Sequence, residues 1–175
     1  MKLLKSFLIL FIAISITSCS SDDDNSFELS AVNLAGTYKI TAYKSVEIES
    51  ATSSAGKVIT LATTTKTRSS STVKVILNAN NTYSIDGILV MTSKTDGVDN
   101  DDDIQDLDDT AGTYALNLDS KTITLTETLG NGLVIGTFDL KTFNADKLII
   151  KQDVNSTTKG GNDINTVTDI TLERN

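Results

Sequence analysis

Eight aspartates fall within the fourteen residues from Asp96 to Asp109. Carboxylates at that density have two chemical uses: they can hold a hard cation, or a pair in unlike surroundings can move a proton. Asp99, Asp101 and Asp103 stand at alternate positions, the spacing of the first half of an oxygen-ligand calcium loop. The second half departs from that pattern, with Ile104 where the loop needs glycine and Thr110 where it needs a bidentate glutamate. Acid–base work requires two carboxylates whose environments split their pKa values, and a run of like-charged, solvated side chains gives them the same environment. The run is therefore either a weak calcium site on Asp99, Asp101 and Asp103 or a solvated connection between strands.

Little else in the chain can do chemistry. There is no histidine, and the one cysteine is Cys19. Histidine-based triads, thiol nucleophiles, His or Cys zinc sites and paired redox cysteines are excluded, which leaves only carboxylate, Lys, Tyr or Ser schemes. Ser69–Ser71 and the threonines from Thr63 to Thr67 have no base at motif spacing and read as polar loop or edge strand. The expectation is a protein that is not an enzyme and needs no cofactor beyond a weakly held calcium. The net charge of −8 repels phosphate backbones, so nucleic acid is not an expected partner.

The first nineteen residues read as an address. Lys2 and Lys5 precede an apolar run from Phe7 to Ile16, too short to span a bilayer, and small polar residues follow. Ile16-Thr17-Ser18-Cys19 resembles the bacterial lipobox, which implies cleavage after residue 18 and acylation of Cys19 as the new N-terminus. Several acyl chains at about 0.8 kcal/mol per buried CH₂ would hold the chain to a membrane. The next residues, Ser20, Ser21, Asp22, Asp23 and Asp24, resemble the acidic export signal of lipoproteins that face outward from the outer membrane. By composition alone, residues 19–32 are a polar, disordered tether. Cleavage would remove Lys2 and Lys5 and deepen the net charge to −10.

What must position any site is a domain running from Asn33 to Asn175. The chain has 26 threonines, and all but Thr17 lie in this domain, where they cluster with Val and Ile in short alternating runs, the composition of half-buried strands. Tyr38, Ile40 and Ala42 share one face of a first strand. Val73, Val75 and Leu77 lead to the turn Asn78–Asn81 and return as Tyr83 and Ile85; Tyr114, Leu116 and Leu118 return as Ile123 and Leu125. Phe138 and Leu140 return as Leu148 and Ile150, and Ile170 and Leu172 close the chain. Lys57–Thr64 adds a weaker strand, Ser156–Asn165 reads as a long hairpin loop, and Phe27–Leu34 allows one turn of helix. Eight or nine antiparallel strands with one apolar face must close into a barrel or pack as two sheets. Gly36-Thr37-Tyr38, Gly112-Thr113-Tyr114 and Gly136-Thr137-Phe138 repeat one strand-opening triplet.

Leu34–Ile40 together with Asn80-Asn81-Thr82-Tyr83-Ser84-Ile85 resembles the lipocalin-like domains of surface lipoproteins, with Tyr38 where that family usually has tryptophan. The resemblance implies an up-and-down β-barrel of about eight strands, a monomer, and a carrier role for a small hydrophobic ligand. The Asp-rich run is also loosely similar to the calcium loops of extracellular repeats. The inward set is Tyr38, Ile40, Val75, Leu77, Ile85, Tyr114, Leu116, Ile123, Leu125, Phe138, Leu140, Leu148 and Ile150. Such a lining suits an apolar ligand and suits a plain core equally. Two readings follow: a ligand-binding barrel, or a filled β core that presents its loops to calcium, glycans or a protein partner.

Overall fold

The computed structural model describes residues 27–130 and 135–175. Among these residues one short helix, α1 (Ala31–Leu34), precedes twelve strands. Eight of them close an antiparallel barrel: β1 (Gly36–Thr52), β3 (Lys74–Leu77), β4 (Thr82–Asp86), β8 (Thr110–Asn117), β9 (Thr122–Leu129), β10 (Gly136–Phe143), β11 (Lys147–Thr157) and β12 (Asp163–Arg174). Each pairs with the next, and β12 returns to β1 from Tyr38↔Arg174 to Ser50↔Asp163. The remaining four, β2 (Val58–Ser71), β5 (Ile88–Thr95), β6 (Val98–Asp99) and β7 (Asp103–Asp106), lie outside that ring.

Their placement follows from a crease across the sheet. The edge of β1 is paired first by β3, over Gly36–Lys39, and farther on by β2, from Lys44 onward. Strands β2 and β3 are one run of chain bent at Thr72–Val73; β4 and β5 are one run bent at Gly87; β7 and β8 are one run bent between Leu107 and Asp109. The bends are aligned, since Thr72 N–H donates to Ile88 O and Leu107 N–H to Gly87 O. Below the crease the strands curl into the barrel. Above it β11, β12, β1, β2, β5 and the short β6 and β7 continue as an open sheet. Irregular positions in a ladder bend a strand and re-aim its side chains, which is how one sheet takes two curvatures.

Several sequence expectations shift here. The register slip between Ile40 and Ala42 turns Ala42 outward and Tyr43 inward, so the first strand does not keep one alternation. The threonines of Thr63–Thr67 and Ser69–Ser71 lie in β2, which has neighbours on both sides, not in a loop or an edge strand. The Asp-rich run contains β6 and β7 rather than an uninterrupted loop. The expected long hairpin loop is a tight turn, because β11 and β12 pair out to Thr157↔Asp163. Gly112 lies inside β8 and does not open it. The three main hairpins, β3–β4, β8–β9 and β10–β11, stand where the alternation places them.

The core is one cluster. It joins the barrel side chains, among them Tyr38, Ile85, Ile123, Phe138 and Leu148, to Val73, Leu89, Met91 and Leu107 from the level of the crease. Packed structure reaches back to Phe27, whose ring lies 5.0 Å from that of Phe143. Ser30 caps α1 by accepting from Asn33 N–H, and Leu34 is fully buried. Below it a relay fixes the first strand to the last: Arg174 Nη2 donates to Asn33 O (2.6 Å) and to the Tyr38 oxygen (2.7 Å), and Tyr38 O–H donates to Leu34 O (2.7 Å). The Arg174 guanidinium also lies 5.1 Å from the Tyr38 ring centre.

Candidate functional site

The barrel interior is filled by its own side chains. A void inside it has a volume of about 20 Å³ and is lined entirely by apolar and aromatic residues. A single water needs roughly 10–15 Å³ by the same measure, and an apolar lining offers it no partner. Eight of the inward set border the void: Ile40, Val75, Leu77, Ile85, Ile123, Leu125, Leu148 and Ile150. Tyr38, Tyr114 and Phe138 are buried beside it, while Leu116 and Leu140 are half-buried at the margin of the core. Tyr83, Ile170 and Leu172 also line the void. They were missing from the inward set although their alternation with Ile85 and with each other was plain in the chain.

The Asp-rich run is not gathered into a site. Asp99, at the end of β6, pairs with Lys94 at 2.8 Å; Asp101 is exposed between strands; Asp103, in β7, pairs with Lys66 at 2.5 Å and accepts from Gln105 Nε2. Other aspartates of the run serve the backbone, Asp96 accepting from Thr63 N–H and Asp108 from Gly87 N–H. Among the described residues no three carboxylate, His or Cys side chains stand together as a metal would require. The Lys66 ammonium, and then the Gln105 amide, hold the Asp103 carboxyl below the usual carboxylate range.

Sequence reading missed the concavity that does exist. Where the open sheet rises from the barrel, its inner face forms a cleft of about 320 Å³ lined by Tyr43, Ser45, Glu47, Thr64 and Lys66. The pairing makes this lining inevitable once the bulge has turned Tyr43 inward: Ser45 faces Lys66 and Glu47 faces Thr64 across the β1–β2 ladder. Three of these groups are braced from other strands. Ser45 Oγ lies 3.2 Å from Thr168 Oγ1, Thr64 Oγ1 lies 3.1 Å from Thr95 Oγ1, and Lys66 Nζ bonds Asp103. Burial pushes the Tyr43 phenol up, against a smaller opposing effect of its hydrogen bond with Ser45. The cleft thus presents a phenol, hydroxyls, one ammonium paired with Asp103, and the Glu47 carboxylate.

A second cleft, of about 350 Å³, lies where the chain joins the barrel, between Phe27–Leu29 and the hairpin ends that carry Leu118, Lys121, Leu140 and Phe143. Cys19, Ser20, Ser21, Asp22, Asp23 and Asp24 lie outside the described residues. Among those described, no helix is long and apolar enough to cross a membrane. No known family model, curated protein or solved structure matches the chain.

Proposed function

We propose that this protein is a lipid-anchored, outward-facing surface lipoprotein whose barrel is a filled, non-catalytic scaffold and whose binding is done on the outside, by the open sheet. The observation that carries the reading is the void of about 20 Å³. Pockets for small molecules run to roughly 300–1,000 Å³, so a hydrophobic cargo would have to displace buried core side chains. The anchoring half rests on the lipobox-like Ile16–Cys19 and the acidic Ser20–Asp24 that follow it. The chain joins the barrel at the α1 end, and the 17 residues of β1 lead away from it. At about 3.3 Å per residue that is roughly 55 Å of strand, which sets the far end of the open sheet well away from the α1 end of the barrel.

The experiment is thermal unfolding of the purified chain with and without saturating oleate. A ligand of the native state raises the midpoint by mass action. An unchanged midpoint is expected, and a rise of several degrees would return the barrel to the carrier reading. For the anchor, Cys19→Ala is expected to abolish incorporation of labelled palmitate, and labelling that persists would remove it.

A further inference from the structure

We infer that the cleft lined by Tyr43, Ser45, Glu47, Thr64 and Lys66 is a binding site for a neutral, hydroxyl-rich ligand, a sugar ring of a glycan. The inference rests on the proposal that binding is external to the barrel, and it names the class of ligand.

The cleft's volume of about 320 Å³ falls at the lower end of the range of small-molecule sites. Three ligand classes are disfavoured by its chemistry. An apolar ligand would strip water from Ser45, Glu47, Thr64 and Lys66 and return no hydrogen bonds. An anion would meet Glu47, an ammonium already neutralised by Asp103, and the field of a chain with net charge −8. A metal cation would meet the same ammonium and find no carboxylate cluster.

A polyol meets none of these obstacles. Each hydroxyl carries one donor and two acceptor lone pairs, so Ser45 and Thr64 keep capacity beyond their bonds to Thr168 and Thr95. The Lys66 ammonium has three donors, and the exposed Glu47 carboxylate can accept from two adjacent sugar hydroxyls. Directly opposed residues stand about 5 Å apart on a sheet face, so Ser45↔Lys66 and Glu47↔Thr64 present two pairs of polar groups across the width of one sugar ring. Strands, not loops, hold all five residues, and partners on other strands brace Ser45, Thr64 and Lys66 before a ligand arrives.

The test uses the full lipid-bearing chain in a zwitterionic detergent without a sugar headgroup, applied to an array of neutral hexose and N-acetylhexosamine oligosaccharides with sialylated and sulfated ones beside them. Retention by at least one neutral glycan is expected, competed by that free oligosaccharide. Affinity should fall at least ten-fold in Glu47→Gln and in Thr64→Val, while Thr113→Val, on the outer face of the barrel, leaves it unchanged. Glu47 is exposed, so E47Q tests the site without threatening the fold. No neutral glycan retained, retention of sulfated or sialylated glycans alone, or retention indifferent to both cleft substitutions would each overturn the assignment. Oleate binding run in parallel separates the two levels. Oleate bound and no glycan retained defeats the external-binding reading as well, whereas neither bound defeats only the sugar assignment.

Discussion

Lys66 and Asp103 illustrate what a single residue does in this molecule and why its role was hard to see. The aspartate belongs to a run that looks like a cation site, yet its partner is an ammonium 37 positions away on β2. Because the bond to Lys66 lowers the folded-state pKa of Asp103 below its unfolded value, the pair's stabilisation is complete above the unfolded pKa and is lost as pH falls through the folded one. Asp103→Asn is therefore expected to flatten the acid limb of a midpoint-against-pH curve below about pH 5. A variant curve parallel to that of the parent chain would show that the pair does not contribute. Gly112 makes the opposite point. A Cβ there would lie 2.1 Å from Thr126 O and 2.8 Å from the Tyr83 ring, so Gly112→Ala is expected to destabilise by at least about 2 kcal/mol, read as a fall in the unfolding midpoint. The triplet Gly-Thr-Tyr flagged this glycine in the sequence, but the reason for it, close approach between β8 and β9, needed the ladder. Apolar positions such as Ile85 and Leu148 were legible because burial imposes a period. Tyr43 and Lys66 were not, since a one-residue bulge reverses the period and a polar inner face leaves none.

Among the elements, the hairpins β3–β4, β8–β9 and β10–β11 could be read from alternation and turn residues, whereas the crease could not. Its bends at Thr72–Val73, Gly87 and Leu107–Asp109 are separated by many residues and become one feature only when the strands are paired. The crease divides the molecule energetically. Below it strands close on a core in which Tyr38, Phe138 and Leu148 are almost wholly excluded from solvent; above it β2 buries none of its residues fully, and Val58, Ile59 and Leu61 are exposed. Segments with few buried apolar contacts open at lower free energy than core strands. Amide hydrogen exchange is expected to be fast for residues 58–64 and 153–157 and slow for residues 75–77, 83–85 and 148–150. Equal protection on both sides would mean that the open sheet and the barrel unfold as one unit.

For the whole molecule, an all-β barrel was accessible from composition and turn spacing, because eight strands with one apolar face have few other ways to keep it dry. Of the four strands outside the ring only the first half of β2 was, as the weaker strand Lys57–Thr64; the rest was not, because threonine-rich runs such as Thr63–Thr67 serve a loop, an edge or an interior strand equally well. The orientation that follows from the proposed anchor can be measured. Seven residues separate Cys19 from Phe27, eight steps along the chain with a reach of at most about 28 Å, and Leu118 lines the cleft beside Phe27. Lys57 lies in the β1–β2 turn, at the far end of the strand that leads away. With Cys19 acylated, a cysteine introduced at either position is the only free thiol, so Leu118→Cys and Lys57→Cys can each carry one fluorophore on the chain reconstituted into vesicles. A quencher attached to lipid acyl chains acts only at contact range. It is expected to dim the label at 118, near the bilayer, and to leave the label at 57 unaffected, because the strand geometry holds that turn beyond the tether's reach. Equal quenching at both sites would mean that the domain lies along the membrane with its open sheet against lipid, and the cleft on that sheet could then not meet a ligand arriving from outside.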